Sequence, residues 1–188
     1  MALVFEAIGG VLLALPDTLA PDQRSGIENS LLLAWLAAAK AGPGQPGTLT
    51  DTLGKIGWTL SALSSKQQSL ALSQSGAAAL DAAFAGAADA LASRLAAAAP
   101  DPVIAAWWGQ AGAGRWLALA GDGEQAALTL CRFDITLPDE RVLIFAADPP
   151  VQVTIAASTG TLNPAVFAQV ETTVAAKVQP YLADIVRG

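Results

Sequence analysis

Apolar and polar positions along this chain change their period near residue 113. Before it, apolar residues recur at three- and four-residue spacing, as on helices with one buried face. After it they alternate or run together, as in strands. Val4, Phe5, Ile8, Leu12 and Leu15 predict a first helix over Met1 to Leu15. A second runs from about Gln23 to Lys40, with Ser25 and Glu28 spaced as a capping box and Ile27, Leu31, Trp35 and Ala38 on one face. A third spans about Thr48 to Ser64 on Leu53, Ile56, Leu60 and Leu63, although Gly54 and Gly57 weaken it. The alanine-rich stretch Gly76 to Ala99 predicts a fourth helix. Asp101-Pro102, a capping acid followed by proline, starts a short fifth through Trp107 and Trp108.

The remainder predicts a meander of four antiparallel strands. Arg115 to Ala120 comes first, then the turn Gly121-Asp122-Gly123. Ala126 to Leu137 alternates, with Thr129, Cys131, Phe133 and Ile135 on one face and Arg132 and Asp134 on the other. Arg141 to Ala147 is a continuous apolar run, and Val151 to Ile155 alternates again. Asn163-Pro164 caps a long final helix that Pro180 should kink, with Phe167, Val170, Val174, Val178, Tyr181 and Ile185 on its buried stripe. The expected fold is α+β and layered. About five N-terminal helices (1–113) precede a four-stranded sheet closed by the kinked helix (114–188), in a single domain over 1–188.

Composition changes this picture in two ways. Hydrophobic residues make up 53% and charged residues 14%, against about 25% charged in an ordinary soluble domain. Alanine, at 42 residues, supplies much of that excess. It brings close helix packing more than transfer energy. The surplus still predicts burial against a partner: a second copy, another protein, or a lipid or apolar small molecule. The ten bases run from Arg24 to Arg187 with no two adjacent, and the net charge is −6, which argues against nucleic acid.

Candidate chemistry is sparse. The chain has no histidine, which removes Ser-His and Cys-His catalysis and His-held metals. One cysteine allows no internal disulfide. Gly42 to Gly47 spells GxGxxG, but it follows a helix and contains two prolines, so it reads as a linker. Lys66, beside Ser64 and Ser65, lacks the apolar surroundings that a catalytic lysine requires. Asp134, Asp139, Glu140 and Asp148 cluster near strand ends, where a metal or a carboxylate-dependent enzyme would use them and where turns also place acids.

The expectation leans away from an enzyme, with no catalytic residue, metal or cofactor assigned. It favours a non-enzymatic interaction or self-assembly protein. A lipid or apolar-ligand binder, membrane-active or toxin-like, is the second choice, and a carboxylate-dependent enzyme the third. Trp107 and Trp108 cannot both face one core, so one of them is a candidate rim residue. Cys131 and Phe133 share the apolar strand face and complete the ligand or interface candidates. Glu6 stands where a signal peptide needs a base, and the longest uncharged run, Pro149 to Val170, holds Pro150, Asn163 and Pro164. The expected location is the cytoplasm, or outside by a route leaving no N-terminal mark.

Overall fold

The computed structural model describes residues 3–42, 45, 47–71, 103, 107, 115–121, 123, 125–136 and 150–188. The chain is α+β, but not as its periodicity predicts. Among the described residues there are three α-helices and a mixed sheet of seven strands, in place of about five helices and a four-stranded meander. The predicted helix over Gly76 to Ala99, the Asp101-Pro102 start and the predicted strand over Arg141 to Ala147 lie outside the described residues.

The first correction is at the N-terminal segment, which forms a hairpin of β1 (Leu3–Ile8) and β2 (Val11–Pro16). Helical spacing is uninformative there because almost every position is apolar, so any period finds matches. The deciding residues are Gly9 and Gly10, which form a two-residue turn between Ile8 and Val11. Gly9 has φ 56, and a Cβ on it would lie 1.9 Å from the indole nitrogen of Trp35. Both the turn and the packing therefore demand glycine.

Helix α1 (Pro21–Ala41) agrees with expectation over its body, burying Ile27 and Leu31 fully. Its start differs: Pro21 opens the helix after Ala20, with no side-chain cap, so Ser25 and Glu28 make no capping box. Helix α2 (Thr48–Lys55) is half its predicted length. Gly57, at φ 103, ends that segment and turns the chain into β3 (Trp58–Ala71). Here long-range pairing overrides local periodicity: β3 is antiparallel to β6 (Pro150–Leu162) along its length.

Strands β4 (Arg115–Ala120) and β5 (Ala127–Thr136) form the predicted antiparallel pair, and β5 pairs onward with β6. Helix α3 (Pro164–Val178) is capped as predicted, Ala165 and Val166 donating to Oδ1 of Asn163 at 3.1 and 3.3 Å. It is not kinked. It stops at Val178, and Pro180 sits in a 3-10 helix, Gln179–Asp184, that leads to the two-residue β7 (Val186–Arg187).

The sheet order is β3-β6-β5-β4-β2-β1-β7. All neighbours are antiparallel except β2 and β4. A parallel pair needs a long crossover, and the chain between β2 and β4 contains α1, α2 and β3. That connection is what a meander could not supply. The three helices cover one sheet face, where Ile8, Val11, Leu13, Leu15, Trp116, Ala118, Leu128 and Leu130 join Ile27, Leu31, Leu53, Phe167 and Val174 in one core. The opposite face buries Phe5, Leu12, Ala14, Leu117 and Cys131. No helix among the described residues is long and apolar enough to cross a membrane.

Gly9→Ala tests the hairpin. Strained φ and the collision with Trp35 should together cost about 3 kcal/mol in urea denaturation. A loss within about 0.5 kcal/mol, the range of an ordinary surface change, would contradict the turn.

Candidate functional site

Cys131 lies on β5 in register with Leu117 and Ala157, 2% exposed. Burial pushes its thiol up to about 11, so it remains protonated and unreactive at neutral pH. Phe133 is two residues further along, in register with Arg115 and Ile155. Trp107 is fully buried, and its indole N–H donates to the Gly10 carbonyl at 2.9 Å, tying its segment to the β1–β2 turn. Trp108 lies outside the described residues, as do Asp139, Glu140 and Asp148. Asp134 accepts from Nε of Arg132 at 2.8 Å, and the same guanidinium lies 6.0 Å from the Trp116 ring centre. This pairing is along one strand rather than between neighbouring strands. Among the described residues no three acid or cysteine side chains gather as a metal cluster.

Among the described residues the most exposed large apolar side chain is one that the sequence placed on a helix face. Leu63 is 58% exposed. The register of β3 against β6 slips between Ala62 and Ser64, so Leu63 is the extra residue of a bulge and has no partner across the ladder. Among the described residues strand β3 is also an edge of the sheet. A cleft of about 430 Å³ lies beside it, bounded by Thr50, Ala62, Leu63, Trp116, Arg132 and Ala156. The available signal was the alternation that starts immediately after Gly57, where Trp58 is buried, Thr59 exposed, Leu60 half-buried and Ser61 exposed.

A second cleft, about 540 Å³, opens between the first turns of α1 and α3. Gly26, Ala126, Leu162 and Phe167 give it apolar walls, with Asp22 and Glu171 also lining it. Gln125 fixes one side by donating to the Leu162 carbonyl at 3.0 Å.

A third feature was invisible in the sequence because its members are far apart. Glu6 on β1 is 0% exposed. Its Oε1 accepts from Arg24 on α1 and from Arg187 on β7, the latter at 3.2 Å. Glu28 accepts from the same two arginines, at 2.6 and 3.3 Å. The second Glu6 oxygen, Oε2, is buried without a hydrogen-bond partner. Burial is the largest influence on Glu6 and raises its pKa above the usual carboxylate range. The Arg24 hydrogen bond opposes this, and the charge of Glu28 adds to it. The hydrogen bond to Glu28, and then that to Glu6, hold Arg24 protonated.

A carboxyl with a raised folded pKa holds its proton more tightly when folded. Its stabilising effect is full below the unfolded pKa and is lost as pH rises through the folded pKa. Glutamine cannot titrate, so the stability of the wild type minus that of Glu6→Gln should fall as pH rises from about 4 towards 7. Thermal unfolding across that range measures it, and a difference that stays flat or rises contradicts the assignment. Neither a family model, nor a curated protein, nor a solved structure matches this chain.

Proposed function

We propose that this chain is a non-enzymatic interaction protein that self-associates through apolar surface at the β3 edge. The observation that carries this reading is Leu63, turned outward by a bulge on a 14-residue strand that is an edge among the described residues. Edge strands offer a row of backbone donors and acceptors for pairing, and natural proteins blunt them with charge or proline. Strand β3 has no proline and a single charged residue, Lys66. Two copies can therefore meet antiparallel about a two-fold axis, a self-complementary contact. The cleft beside Leu63, with Ala62 and Ala156 among its lining, offers small side chains against which a leucine packs closely.

Sedimentation velocity at tens of micromolar tests the proposal. The wild type should sediment as a species heavier than 19.0 kDa. Leu63→Lys should weaken the association by about tenfold or more, because it puts a charge into the contact. A wild type that stays at 19.0 kDa, or a Leu63→Lys variant that associates equally well, contradicts it.

Binding of a small apolar ligand is a second reading, favoured by the cleft at Gly26, Leu162 and Phe167. Its volume falls within the range of about 300 to 1,000 Å³ typical of ligand sites. Native mass spectrometry of protein purified without detergent should then show an added mass that denaturation removes. The bare chain mass alone would remove this reading.

A further inference from the structure

We propose that the outer edge of β1 is a docking site for an extended segment of a partner protein carrying an apolar residue two positions before an arginine. Ile185–Arg187 is then its resident, displaceable occupant. This site lies at the other end of the sheet from β3 and does not depend on the reading of Leu63.

Strand β1 has six residues, but β7 pairs with only two of them, Glu6 with Arg187 and Ala7 with Val186. One further backbone bond runs from Gly188 N–H to the Phe5 carbonyl at 3.2 Å. Among the described residues no other strand pairs with this edge. A partner strand that continues past Phe5 to Val4 and Leu3 would form more of the ladder than β7 does.

The side chains supply the specificity. Ile185 is 6% exposed and belongs to the core beneath the helices, whereas Val186 is 44% exposed. Arg187 bridges Glu6 and Glu28. A buried apolar residue, an unselected exposed one and a half-exposed arginine that reaches back to Glu6 follow the alternation by which strand addition reads its ligands. Arg187 reaches each carboxylate with a single nitrogen and leaves Oε2 of Glu6 buried without a partner. A guanidinium carried on a longer, better-anchored strand can serve that oxygen too. With Arg187 withdrawn, Glu6 and Glu28 share Arg24 alone, so the vacated edge lacks one of its two cations and an incoming guanidinium restores it.

The resident segment is held by Ile185 and Arg187, but only two of its residues pair with β1. The 3-10 helix that connects it to α3 has no buried residue. Its advantage is that it belongs to the same chain, which acts as a high local concentration of ligand. Weakening the segment should therefore let a free peptide in.

The experiment uses the full chain and a dye-labelled peptide consisting of residues 183–188 followed by two threonines, with binding read by fluorescence anisotropy. Arg187→Ala should bind the peptide at least about tenfold more tightly than the wild type does. Replacing the peptide arginine with glutamate should abolish binding, and adding Glu28→Gln to the variant should weaken it about tenfold. Val186→Pro breaks the ladder at an exposed position and keeps the charges in place. It should show the same gain, and it decides the matter if Arg187→Ala does not fold. A variant folded by circular dichroism that takes up no peptide, or that binds the glutamate peptide equally well, overturns the proposal.

Discussion

Strand β2 is buried along its whole length and paired on both sides, antiparallel to β1 and parallel to β4, and this double constraint positions the rest of the molecule. A strand covered on both faces can be uniformly apolar, and Val11 to Leu15 are all 0% exposed. Its parallel pairing forces the chain to leave the sheet and return. Helix α1 is laid down on that excursion over the β1–β2 hairpin, with α2 packed against α1 and β3. The turn at Gly9 sets the register of the hairpin, and its contact with Trp35 seats α1 on the same element.

The hairpin also carries the main electrostatic burden of the fold. Glu6 lies on the helix-covered face, so its charge must be answered from α1 and β7. Pairing across three elements joins the two ends of the described chain at one point. A network of this kind contributes less to stability than its contacts suggest, because taking the charges out of water offsets much of the attraction. Its value lies in specificity: it fixes which residue of β7 meets which residue of β1, and breaking it from one side leaves a costly unpaired charge.

Those parts of the fold whose signals are local were legible in the sequence. Asn163-Pro164 capped α3 as it reads, the body of α1 followed its apolar face, and β4 and β5 paired across Gly121 and Gly123. The misreadings share one cause. Met1 to Leu15 is so uniformly apolar that no period is informative, and the residues that decide, Gly9 and Gly10, act through turn geometry. Helix α2 looked longer because Leu60 and Leu63 continue its spacing, although Gly57 at positive φ had already ended the segment. Partners far apart in sequence, such as Glu6 with Arg187 or β3 with β6, have no local signature at all. The proposed surfaces were hidden for the same reason: Leu63 is exposed because of a register slip, and the β1 edge exists only once the sheet is assembled.

Among the described residues a sheet built outward from β2 ends in a long edge at β3 and a thinly covered one at β1, the two places where the proposed contacts lie. Residue-resolved hydrogen exchange tests that account most directly. Amides of β2 and β4 should exchange only through global unfolding, while every second amide of β3 and those held by β7 exchange much faster through local opening. A continuous block of equally protected amides through residues 3–15, with helical connectivities across Gly9 and Gly10, would contradict it.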